Sequence, residues 1–230
     1  MLSLKKKTAA AAMSVGLALS LAACGSDDEG TNGNGSAQEQ PSADASPVAA
    51  IDTLTGQQTQ VTLDPAFVEG ITGLGLMPGV TGGAKFDGAA GTVSFPITGG
   101  NVTYFDPQSG VEPYVQGKIE HFQSGLTLTK GDTQVELSNF VVDPGESMLL
   151  GKVLVNGQPF PESGEEVPLF FLDGRTLNPL EVQGDTAVLE GTTVSLTQTA
   201  ADALNMVFGT DALTEFFPVG VAEITVKLPS

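Results

Sequence analysis

The chain has 230 residues, with 27 acidic against nine basic side chains, a net charge of −18, one Cys, one His and no Trp. An acidic surface of this kind repels nucleic acid and anionic headgroups, and a lone Cys excludes a disulfide scaffold. The length suffices for one well-cored domain and does not require two.

Lys5, Lys6 and Lys7 precede an apolar segment from Thr8 to Leu21 that ends in small residues, the order found in an export signal. That segment is well short of the roughly 20 residues a transmembrane helix needs, so it targets the chain rather than spanning a membrane. Leu21-Ala22-Ala23-Cys24 resembles the lipobox of bacterial lipoproteins. The resemblance implies that residues 1–23 are a signal peptide and that Cys24 becomes the first mature residue. Its sulfur then carries a diacylglycerol and, in many bacteria, its amine a further acyl chain such as palmitate. It also implies an extracytoplasmic protein held at the bacterial cell membrane by that lipid. Losing three of the nine basic residues with the signal leaves six against 27 acidic ones, a net charge of −21. The membrane partner is therefore met through the lipid on Cys24, not through a basic face.

From Gly25 to Ala50 the sequence GSDDEGTNGNGSAQEQPSADASPVAA has almost no large apolar residue and cannot bury enough surface to order itself. Residues 24–50 therefore read as a disordered, acidic, Gly/Ser-rich tether, with a reach of very roughly 30 Å. The run Asp27-Asp28-Glu29 lacks the spacing of a calcium loop, and no metal site is expected.

Residues 51–230 read as one β-rich domain. Apolar residues alternate with polar ones in many short runs, among them Val93/Phe95/Ile97, Val102/Tyr104, Leu126/Leu128, Val135/Leu137, Val153/Val155 and Ile224/Val226/Leu228. Period two over such lengths predicts half-buried strands. Lys130-Gly131-Asp132 and Asn156-Gly157 supply hairpin turns between them. The expected fold is mainly all-β, an antiparallel sandwich or barrel.

Two segments depart from this pattern in parallel. TQVTL (59–63) leads into DPAFVEGITGLGL and then MPGV; TTVSL (192–196) leads into TQTAADALNMVFG and then FPVGV. Each predicts strand, short helix, loop, strand. Asp64 with Pro65 predicts the start of the first helix, and Thr199 with Gly209 the two ends of the second. The pair reads either as flaps beside a ligand cleft or, more simply, as two short helices covering the ends of the β structure.

The sequence contains no Gly-x-Ser-x-Gly, no His-Glu-x-x-His and no phosphate loop. A serine or cysteine hydrolase relying on a histidine base would need His121, no second His can complete a His-rich zinc site, and a carboxylate pair remains as an enzymatic option. No catalytic residue is assigned, and the chain is read as a non-enzyme.

His121 lies in GKIEHFQSGLTL, where period two puts it on the face of Ile119, opposite Glu120 and Phe122. The region from AGTVSFPITGG through GKIEHFQSGLTLTKGDTQVELSNFVVD resembles the HtaA-type domain of actinobacterial haem-uptake proteins, in a run of Gly, branched residue, His, then Gly-Leu and a following strand. The resemblance implies a β-rich, surface-anchored module that takes haem through tyrosine and histidine. On that pattern His121 is the histidine. The segment expected to carry the tyrosine, DPAFVEGITG, has Phe67 instead, so the available tyrosines are Tyr104 and Tyr114. Haem propionates would call for Lys85, Lys118 or Arg175 to converge on the site.

Two functions follow from the sequence. The first is a lipid-anchored, non-catalytic envelope module that contacts polymer or protein at the cell surface and needs no cofactor. The second is a tethered small-ligand binder, with haem the named ligand and His121, Tyr104 and Tyr114 the candidate contacts. A contiguous apolar pocket beside His121 distinguishes the second from the first.

Overall fold

The computed structural model describes residues 45–228; Cys24, the signal segment and most of the tether lie outside them. The strands are β1 (Ala49–Ile51), β2 (Gln57–Leu63), β3 (Met77–Gly82), β4 (Lys85–Asp87), β5 (Thr92–Pro96), β6 (Gly99–Tyr104), β7 (Val115–Lys130), β8 (Thr133–Asp143), β9 (Met148–Val155), β10 (Gln158–Pro159), β11 (Val167–Asp173), β12 (Glu181–Gln183), β13 (Thr186–Leu196) and β14 (Pro218–Lys227). Two helices join them, α1 (Pro65–Gly73) and α2 (Gln198–Phe208). Every run in which apolar residues alternate falls in or at the edge of a strand. The hairpin signals also stand at turns: Gly131-Asp132 joins β7 to β8, and Asn156-Gly157, both at positive φ, joins β9 to β10.

The strands form one antiparallel sheet in the order β1-β6-β7-β8-β9-β11-β13-β14-β2-β5-β4, with β3 added to β7, β10 to β9 and β12 to β13. The sheet curls into a half-barrel because its two flanks are tied by one short connection. β5 belongs to the β2 flank and β6 to the β7 flank, and Ile97-Thr98 between them bonds to both: Ile97 N–H donates to Gln57 O and Thr98 N–H to Glu120 O. Bulges sharpen the curl. In β7 the register against β8 shifts between His121 and Gly125, with Gln123 at φ 58° and its N–H held by Asn139 Oδ1 at 2.9 Å. Gly125 is required there, since a Cβ would strike the Leu137 carbonyl and Ser138.

Both helices leave the sheet at one end. β2 enters α1 after Leu63 and β13 enters α2 after Leu196, and Gly220 of β14 stands in register with both Leu63 and Val194. Asp64 caps α1 by accepting from Ala66 N–H at 2.7 Å, with Pro65 in the first turn. α2 begins two residues earlier than its sequence suggests, and its cap is Thr197, not Thr199. β13 stops at Leu196, and the buried Thr197 hydroxyl both accepts from Ala200 N–H and donates to Pro168 O, so the chain turns there. Gly209 at φ 62° closes α2 as expected. Phe67 and Ile71 of α1 and Leu204 of α2 pack over Leu63, Leu196 and Leu126, leaving a void of only about 70 Å³. The helices therefore plug this end.

Candidate functional site

Inside the half-barrel lies a cavity of about 490 Å³. Its wall is what period two places inward: Val61 from β2, Phe95 from β5, Val102 from β6, Val142 from β8, Val194 from β13, Ile224 and Val226 from β14. The lining carries charge at one place only, where Glu112, Asp173 and Arg175 stand; Glu112 and Arg175 are also its exposed residues, so the mouth is there. Arg175 Nε and Nη2 donate to Asp173 Oδ1 and Oδ2 at 2.9 and 2.7 Å, and this fork holds the Asp173 carboxyl down at about 2.

Tyr104 and Tyr114 flank the mouth. Their rings meet edge to face with centroids 6.0 Å apart, and Tyr114 donates its hydroxyl to Gly174 O at 3.0 Å, across to the turn that follows β11. Burial, then the charges of Tyr104 and Glu112, push the Tyr114 phenol up.

His121 sits deeper, on the inward face of β7, and is 2% exposed; Ile119 shares that face while Phe122 points out at 40%. Its Nδ1 stands 3.0 Å from the Pro96 carbonyl, which can only accept, so Nδ1 carries the proton. Nε2 is then an acceptor, and the Thr59 hydroxyl at 3.2 Å donates to it. Burial pushes this imidazole below its ordinary value, against weaker upward pulls from the backbone at Pro96 and Phe95. The ring is held neutral and in one tautomer, edge-on to Phe95 with centroids 6.3 Å apart.

All three candidate residues line one cavity, but the fold pairs only the tyrosines. Tyr104 stands in register with Val115, and His121 is six residues further along β7. At ~3.3 Å per residue that separates the two positions by roughly 20 Å. The cations considered for a propionate site do not converge either. Lys118 pairs with Asp143, Arg175 is bound by Asp173 at the mouth, and Lys85 of β4 is not in the cavity lining. Among the described residues no cluster of His, Cys, Asp or Glu is arranged for a metal ion, and no helix is long and apolar enough to cross a membrane.

Thr59 was not among the residues singled out from the sequence. Its signal was present: in TQVTL, period two puts Thr59 on one face with Val61 and Leu63, a hydroxyl on an otherwise apolar wall.

No family model and no curated protein matches the chain. Among solved structures, the C-terminal domain of HtaA from Corynebacterium glutamicum superposes with a TM-score of 0.51 at 17% identity, covering 77% of this chain and 99% of that domain. The fold is that of an HtaA domain. The heme binding protein HtaB of the same organism (12% identity, 78% and 96% coverage, TM-score 0.47) and the N-terminal domain of HtaA (16%, 77% and 99%, 0.41) lie further off. At such identities the likeness to HtaA is one of fold.

Proposed function

We propose that this chain is a lipid-anchored extracytoplasmic module whose HtaA-type half-barrel holds a small, largely apolar ligand, with no catalytic step. One observation carries this reading: an apolar cavity of about 490 Å³, plugged at the helix end and open at the tyrosine end, within the size range of small-molecule sites. A well-filled sandwich with flat faces, which would favour an envelope contact module, is not what the strands build. The anchor at Cys24 rests on the lipobox, and the tether, read from the sequence as residues 24–50, ends before β1, where Ala49 and Ala50 pair with Tyr104 and Thr103.

Haem is the ligand that the HtaA resemblance suggests, and His121 is the residue that would hold it. A ligating imidazole typically donates its second nitrogen to a carbonyl, as His121 does to Pro96. When bound, haem would supply an iron centre of the histidine-ligated kind. Neither tyrosine stands where it could share that iron, and Asp173 occupies the one cation at the mouth. The interior thus suits a neutral ligand throughout, and haem through His121 alone, whose Nε2 Thr59 would have to release.

The test is a titration of the full chain in phosphatidylcholine nanodiscs, once with a neutral polarity-sensitive naphthalene dye and once with hemin. A saturable, one-to-one blue shift of the dye is expected. Saturable binding of neither probe overturns the reading. A shifted hemin Soret band that survives Tyr104→Phe and Tyr114→Phe but not His121→Ala would assign haem as the ligand.

A further inference from the structure

The wall of the cavity has a fixed hydrogen-bond direction at two points, at the mouth where Tyr114 donates to Gly174 O, and deep inside at Thr59 and His121. The Pro96 carbonyl accepts from Nδ1 of His121, which leaves Nε2 to accept, and Thr59 Oγ1 has only one hydrogen to give. That hydrogen is committed to Nε2. Any further hydrogen bond at Thr59 Oγ1 must therefore be accepted, on a cavity-lining residue 7% exposed beside a histidine 2% exposed, among Val61, Phe95 and Ile119. Thr192 and Ser147 also line the cavity, but no side-chain hydrogen bond fixes the direction of either hydroxyl among the described residues.

We propose that the cavity selects a neutral, largely apolar ligand bearing a hydroxyl group, and that this hydroxyl donates to Thr59 Oγ1. The inference rests on the cavity reading above and names its ligand class. A hydrocarbon or ether of the same length covers the Thr59 oxygen without giving it a partner, which leaves a desolvated acceptor unsatisfied. A ketone or carboxylate at that point sets acceptor against acceptor. An alcohol satisfies the oxygen and continues the chain from ligand hydroxyl to Thr59, to His121, to the Pro96 carbonyl. Loss of one such bond at a buried site corresponds to about tenfold in affinity.

The experiment uses the full chain in phosphatidylcholine nanodiscs and reads the imidazole nitrogen resonances of His121, the chain's single histidine. It is titrated with 1-decanol and with decyl methyl ether. The alcohol is expected to saturate at about tenfold lower concentration than the ether, with the Nδ1-protonated tautomer kept. Thr59→Val should erase that preference, and Thr59→Ser and Thr192→Val should retain it. Equal saturation by alcohol and ether in the wild type overturns the hydroxyl selection and leaves the cavity reading standing. Silence toward both ligands overturns the cavity reading with it. A preference that survives Thr59→Val, or one lost in Thr192→Val, also overturns the assignment to Thr59. If Thr59→Val does not fold, the two wild-type titrations and Thr192→Val still decide.

Discussion

Thr59 and His121 are 62 residues apart in the chain and 3.2 Å apart in the fold, the hydroxyl of one on Nε2 of the other. This contact joins β2 to β7 in the cavity wall, and it runs from Thr59 to His121 only while the imidazole is neutral. Protonation would put a hydrogen on Nε2, turn Thr59 round and charge a ring with 2% exposure.

A pH dependence of stability follows. In the unfolded chain histidine titrates near 6.5, while burial lowers the folded value. Between those two values the unfolded state binds the extra proton, so stability rises with pH through that window. The contribution of His121 is complete above 6.5 and is lost as pH falls toward the folded value. Urea midpoints of wild type should therefore decline as pH falls below 6.5, and His121→Gln should flatten that slope, since the chain has no other histidine. Parallel profiles for the two proteins would show that the ring titrates freely.

Tyr114 ties the mouth by its hydroxyl to Gly174, while its ring leans on Tyr104. Tyr114→Phe removes the bond and keeps the ring, so it should cost about 1 kcal/mol of stability. It should also speed dye release from the cavity, measured by stopped flow. Tyr114→Ala removes both contacts and should cost more, by about a further 1 kcal/mol. An unchanged release rate in Tyr114→Phe would mean that ligands leave by another route.

The bulge that turns β7 past His121 depends on one missing side chain. Gly125→Ala would push a Cβ into the Leu137 carbonyl and Ser138, backbone that cannot step aside, and should destabilise by about 2 kcal/mol or more. Gly73, at the end of α1, has no atom within 4 Å of its would-be Cβ and no positive φ, so Gly73→Ala should stabilise by up to about 1 kcal/mol. Denaturant midpoints for the two variants should move in opposite directions.

The strands were legible because burial imposes period two on each, and runs such as Val93/Phe95 and Ile224/Val226/Leu228 carry it openly. The facing of His121 was legible for the same reason, with Ile119 beside it on the inner face. The start of α2 was not, since Thr197 and Thr199 are both capping residues and only the end of β13 at Leu196 decides between them. The cavity was not legible either. Inward-facing residues look alike whether they meet at the centre or stand apart, and the outcome depends on how far bulges at Gly125 and Gly191 and the Ile97-Thr98 tie curl the sheet. Tyr104 and His121 looked like possible co-ligands because sequence gives their faces and not their levels along β7.

The last prediction concerns the anchor. Leu21-Ala22-Ala23-Cys24 places the chain's single cysteine at the start of the tether, and the described domain shows no apolar helix that could hold it to a bilayer. With six basic against 27 acidic residues once the signal is removed, a net charge of −21, the protein gains nothing from anionic headgroups, so membrane retention should depend on the acyl chains alone. Each buried methylene contributes about 0.8 kcal/mol, and two or more chains hold a protein stably where one does not. Wild type expressed in a Gram-positive host should therefore incorporate labelled palmitate and partition into the detergent phase. Cys24→Ala should do neither, while its domain keeps the same unfolding midpoint, with or without reductant. A Cys24→Ala chain that still partitions with detergent would require a second membrane contact, and the exposed Met77 and Phe86 of the β3–β4 flank would be the first place to seek it.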